Sequence, residues 1–257
     1  MQTLLIGIVA FAAFMYLVMP GVIRFNQKIS AAPVFEPVDL ATLPPAAAQY
    51  LWACQQALEA EGFQTISYMT WANSIPNVFP YLALLFNRTN NVKATVTALY
   101  VVTSEGAKLK TSYVEIGTRY EDGTTILTNN TKTLNSFKPT AKQNNLRLPN
   151  IENPHELYAI HLKRMAAVNS STEPLPAPGT EMAVQVGRMV ESMEDQVGFG
   201  RFYLDRNLNM YRPTWKGAYL MTWGLLPPMK ALRESKERAK GQTVLKALEE
   251  SPLRQRV

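Results

Sequence analysis

The chain opens on an apolar run and only later takes up the periodicities of a folded domain. From Met1 to Ile23 there is no Asp, Glu, Lys or Arg, and Leu4–Met19 is apolar or small throughout. About 20 helical residues at ~1.5 Å each cover a hydrocarbon layer of ~30 Å, so the pattern predicts an N-terminal transmembrane helix, with residues 1–28 as the anchor. A cleaved signal peptide is the rival, with Ser30-Ala31-Ala32 as its small-residue site. Against it, no Lys or Arg precedes the run, and the run is longer than a signal-peptide core. Residues 29–44, with Pro33, Pro37 and Pro44, read as an extended spacer.

Helical spacing follows. Ala47, Leu51, Cys54 and Leu58 fall on one face, with Thr42 as a candidate cap and Gly62 as the stop. A strand period then takes over. Val78–Asn87 is apolar on both faces, and Val92, Ala94, Val96, Ala98 and Tyr100 alternate with Lys93, Thr95 and Thr97. Val114, Ile116 and Tyr120 keep the period of two, and Asp122-Gly123 supplies a tight hairpin with two positive-φ positions into Thr124–Thr128. Asn135–Pro149 is polar and reads as a loop. Asn153-Pro154-His155-Glu156 is a capping box that opens a helix to about Val168. Proline-rich residues 170–179 form a linker to a helix from Thr180 to Gly198, with Met182, Val186, Met189 and Met193 on one face. Phe202–Asp205 and Met210–Arg212 can pair as a hairpin.

The fold class expected is α+β: an N-terminal transmembrane helix, then an antiparallel β-meander of four to five strands packed with helices, plus a C-terminal basic helix. The globular domain is assigned to 45–212 and an aromatic and basic helical segment to 213–257. The composition, 47% hydrophobic and 18% charged over 257 residues, excludes a disordered, collagen-like or disulfide-scaffold protein. Cys54 is the only cysteine, which leaves no intramolecular disulfide and allows a reducing compartment.

Charge adds an orientation. The net charge is +6, and residues 200–257 hold 12 Lys/Arg against 5 Asp/Glu, so the whole basic excess lies at this end. Arg24 and Lys28 directly follow the apolar run. The positive-inside tendency then places the N-terminus outside and the globular domain in the cytoplasm. From Gly217 to Met229 no residue is charged, too short a stretch to span a bilayer. Trp215, Tyr219, Trp223 and Leu226 cluster there, and Lys230, Arg233 and Lys236 follow Pro227-Pro228. Rings at head-group depth backed by cations are what an interfacial membrane contact or a partner-docking surface requires. Membrane lipid is therefore a likelier anion for this end than nucleic acid.

Catalytic chemistry finds no foothold. There is no nucleophile elbow, phosphate-binding loop or dinucleotide loop, and the two histidines, His155 and His161, stand six apart rather than at ligand spacing. No catalytic residue, metal set or cofactor is assigned. His161 lies on the apolar face of its helix with Leu157, Tyr158 and Met165, as a buried polar group or a possible ligand site. The function expected is a non-catalytic, single-pass membrane accessory, assembly or adaptor subunit with a protein partner. The alternative is a membrane-tethered sensor or a lipid- or small-molecule-binding module.

Overall fold

The computed structural model describes residues 2–72, 77–137, 139–140, 142–168, 173–175 and 181–250. The apolar run folds as two helices, α1 (Gln2–Leu17) and α2 (Met19–Asn26). Backbone bonds carry the helical ladder across the joint, from Val18 N to Phe14 O at 2.8 Å and from Val22 N to Val18 O at 3.1 Å. Pro20 has no N–H to offer the next carbonyl, and the run breaks there. Sixteen residues of α1 reach only ~24 Å. The single membrane-crossing helix expected within the 1–28 anchor is thus corrected: among the described residues no helix is long and apolar enough to cross a membrane.

Residues 29–44 contribute one strand to each of two sheets. These are β1 (Ile29–Ser30) and β2 (Phe35–Pro37), followed by a 3-10 turn at Leu40–Thr42 capped by Asp39; Thr42, expected to cap the next helix, lies in that turn, and the helix starts from Pro44 with no side-chain cap. Next come α3 (Pro45–Glu59), β3 (Gln64–Trp71), β4 (Val78–Asn87), β5 (Val92–Thr103), β6 (Gly106–Arg119), β7 (Thr125–Asn129) and β8 (Gln143–Arg147). The larger sheet runs β2-β3-β4-β5-β6-β7-β8. It is antiparallel up to β7, while β8 lies parallel to β7. The α+β class holds, with a wider and mixed sheet than the meander read from the sequence. At the hairpin after β6 only Gly123 takes a positive φ, 81°; Asp122 instead turns its carboxylate onto Thr124 N.

The helix-side face of β5 is Ala94, Val96 and Ala98, all fully buried. Those short side chains let α3 approach, and Leu51, Leu58 and Cys54 pack between it and the sheet. Each of the two leucines stabilises the fold by about 1.5–3 kcal/mol relative to exposure. The opposite face of β5, expected to meet water, is closed as well: Thr95 and Thr97 are buried, and Leu84 and Phe86 of β4 lie beside them.

Four helices and a second small sheet complete the chain: α4 (Pro154–Ala167), α5 (Glu181–Gly198), β9 (Phe202–Asp205), β10 (Met210–Pro213), α6 (Trp215–Leu225) and α7 (Met229–Glu250). Asn153 caps α4 by accepting from His155 N at 3.0 Å. The small sheet is β1-β10-β9, and α6 runs off its last strand to pack along α2. α7 turns back to the main sheet, where Gly241 is buried against Leu148 and Val244, Leu245 and Leu248 reach the core.

Candidate functional site

The N-terminal and C-terminal segments meet at one end of the molecule, and the join is built around Arg24. Its Nη1 donates to the Pro213 carbonyl at 2.7 Å, and its guanidinium stacks over the rings of Tyr203 and Trp215 at 5.2 and 5.6 Å. Phe25 meets Trp215 edge-on at 6.2 Å, and Tyr219 and Trp223 continue the row along α6 at 6.3 and 5.3 Å. The residue that begins α6 is held by Thr214. The Thr214 hydroxyl accepts from Gly217 N, which caps the helix, and donates to Gly200 O. Gly217 has no alternative here, since a Cβ would stand 1.9 Å from the Arg201 carbonyl oxygen.

The aromatic row stays open to solvent. Trp215 and Trp223 are 50% and 47% exposed, and Leu220 beside them is exposed too. On α1, Ile6, Phe11, Phe14 and Leu17 are exposed in turn, so apolar surface extends from one helix to the other. Of the expected interface residues, Trp215, Tyr219 and Trp223 are brought together and Leu226 half-buries itself at the end of α6. Lys230 and Lys236 point outward from α7, Lys230 at 4.0 Å from Glu234. Arg233 turns back instead: Nη1 donates to Gly224 O at 2.8 Å and Nη2 to Asn135 O at 2.7 Å. Gly224 permits this, because a Cβ there would meet Arg233 Nη1 at 2.5 Å.

Between α1, α6, the start of α7 and the loop before β8 lies a cavity of about 610 Å³. Its walls are Tyr16, Ser136, Phe137, Arg201, Leu220, Trp223, Gly224, Met229 and Arg233. Tyr16 closes one side by donating to the Pro227 carbonyl. Arg201 lies over the rings of Phe137 and Phe199, 5.0 and 4.9 Å from their centres, with Nη1 on Gln196 Oε1 at 2.9 Å. Neither Arg201 nor Arg233 is ion-paired with a carboxylate among the described residues. The sequence pointed to Trp223 and Arg233. It gave no sign of Arg201, Phe137 or Tyr16, which reach the same space from 22 to 217 residues away.

His161 lies elsewhere, fully buried between α4 and the sheet. Thr118 Oγ1 is 3.0 Å from Nε2 and also donates to Met165 Sδ at 3.3 Å; Thr128 Oγ1 is 2.9 Å from Nδ1. Sulfur can only accept, so the Thr118 proton goes to Met165 and His161 Nε2 must carry the hydrogen. Nδ1 then accepts from Thr128, whose oxygen takes Nη1 of Arg164 at 2.6 Å. The chain of bonds is complete with a neutral ring. Burial, with the Arg164 charge adding to it, pushes the imidazole down to about 3. Arg164, also buried, donates on to Leu127 O, Asn144 O and Asn144 Oδ1, which fastens β8 to β7. This arrangement holds the fold together and leaves the ring no free nitrogen for a ligand.

Lys93 is a second buried titratable group, and its place in the β5 alternation carries no sign of it. On the far face of the sheet, burial pushes the Lys93 ammonium down to about 8, reinforced by Arg188 and opposed by Glu115, whose carboxyl is itself raised by burial. No group of three or more His, Cys, Asp or Glu among the described residues could hold a metal ion. No family model, no curated protein and no solved structure matches this chain.

Proposed function

We propose that this protein is a membrane-anchored accessory or adaptor subunit, held at the bilayer by the kinked run from Gln2 to Asn26. The observation that carries the reading is the exposed apolar surface of α1 and its continuation into the Trp215–Trp223 face of α6. Water-facing surfaces rarely keep so many large apolar side chains together unless lipid or a partner covers them. In this reading α1 lies in the interfacial layer without crossing it, its exposed apolar side chains turned to the hydrocarbon and the rings of α6 at head-group depth. Arg24 and Lys28, with the basic excess of the C-terminal end, favour a cytoplasmic position for the folded part. Purification of the full chain in mild detergent tests the subunit role. A stoichiometric partner that leaves when Trp215 and Trp223 are changed to Ser supports it, and a monodisperse lone monomer contradicts it.

A second reading, a tethered lipid- or small-molecule-binding module, draws on the 610 Å³ cavity. That volume falls within the usual range of ligand sites, roughly 300–1,000 Å³.

A further inference from the structure

We propose that this cavity binds a long-chain fatty acid, its chain against Leu220, Trp223 and Met229 and its carboxylate between Arg201 and Arg233. The inference rests on the ligand-binding reading above and is independent of how the chain is oriented in a membrane.

Three properties of the site select this chemistry. The first is the lining, which combines apolar and aromatic side chains with two guanidinium groups. An uncharged apolar ligand would leave those cations facing it unpaired, and a small anion would leave the apolar wall wet. The second is the supply of donors. A guanidinium has five N–H groups; Arg201 commits one to Gln196, and Arg233 commits two, to Gly224 and Asn135. Both remain able to donate to a carboxylate, and both are already held in place, Arg201 by two rings and Arg233 by the end of α6. Fixed donors lose little freedom when the ligand arrives. The third is size. Scaled from a ~150 Å³ cavity that takes benzene, 610 Å³ holds on the order of 24 heavy atoms, room for a 16-carbon acid of about 18 but not for a whole two-chain phospholipid. The exposed apolar side chains of α1, which supplies Tyr16 to the wall, give such a chain a route from a bilayer.

The test uses the full chain in nanodiscs of zwitterionic lipid, with 9,10-dibromostearic acid as the probe, because bromine in contact with an indole quenches its emission. Saturable quenching is expected, lost in large part in Trp223→Phe. The double variant Arg201→Gln with Arg233→Gln should weaken apparent affinity at least tenfold, and Arg201→Lys with Arg233→Lys should restore most of it. Circular dichroism and thermal melting confirm that each variant is folded. Gly224→Ala, which displaces Arg233 without removing a charge, provides an independent variant and should also weaken binding. The matching dibrominated alcohol should bind at least tenfold more weakly than the acid. Quenching that rises linearly and equally in all variants is mere partitioning and overturns the proposal together with the ligand-binding reading. Saturable quenching that survives both Trp223→Phe and the double Gln variant keeps the reading and overturns this site.

Discussion

His161 gives the sharpest quantitative expectation. Its ring is neutral in the fold, down at about 3 against an ordinary 6.5, because protonation would put a charge in a buried seam beside Arg164 and take from the Thr128 hydroxyl proton its acceptor at Nδ1. Between those two values the unfolded chain binds a proton that the folded chain refuses. Stability is therefore fully present above pH 6.5 and declines as pH falls toward 3. At 1.36 kcal/mol per unit, the loss attributable to this one ring is about 2 kcal/mol between pH 7.5 and pH 5, and about 4 kcal/mol by pH 3. Urea unfolding at pH 7.5, 6.5, 5.75 and 5.0 measures it, comparing the protein with His161→Gln. Placing both in a His155→Gln background removes the only other imidazole from the comparison. Carboxylates are common to the pair and cancel. The variant should be less stable at pH 7.5, since it loses part of the Thr118–Thr128 bridge, yet its stability should fall about 2 kcal/mol less on going to pH 5. Equal slopes would refute the neutral buried ring and with it the hydrogen-bond directions assigned from Met165.

Arg164→Met removes the four bonds to Leu127, Thr128 and Asn144 and leaves buried carbonyls unpaired; a loss of about 3–5 kcal/mol is expected, with hydrogen exchange of β8 rising first. A loss under 1 kcal/mol would show that β8 does not depend on this clamp. Gly217→Ala drives a methyl into the Arg201 carbonyl and should destabilise the α6 end by about 1–3 kcal/mol, seen as a shift in Trp emission before the main unfolding transition. Arg24→Gln loses the stacking on Tyr203 and Trp215 and weakens the bond to Pro213; limited proteolysis should then cut between α2 and β1 sooner than in the parent protein.

What the sequence revealed, it revealed through local rules. The alternation at Val92–Tyr100 placed β5, Asn153-Pro154 marked the start of α4, and the Pro227-Pro228 break put the beginning of the basic helix where α7 begins. What it hid depends on distant partners. Phe35–Pro37 makes only three residues of strand and is defined by pairing with Met69–Trp71. Gln143-Asn144-Asn145 is polar enough to read as loop, and its place in the sheet is held by Arg164, some 20 residues further on. Pro20 was visible all along inside the apolar run, and its missing N–H was signal enough to expect the break after Leu17. The cavity was the hardest part to see. Trp223 and Arg233 stood out as an aromatic and basic cluster, but Arg201, Phe137 and Tyr16 join them only through the packing of α1, α6 and the small sheet.

The proposed attachment to a membrane through α1 is tested most directly by protease protection in sealed vesicles whose cytoplasmic face is inside, with an epitope tag at the C-terminus of the full chain. The tag should sediment with the vesicles, survive external protease, and be lost once detergent opens them. A tag that stays in the supernatant, or that external protease removes from intact vesicles, would contradict the anchored, cytoplasm-facing arrangement.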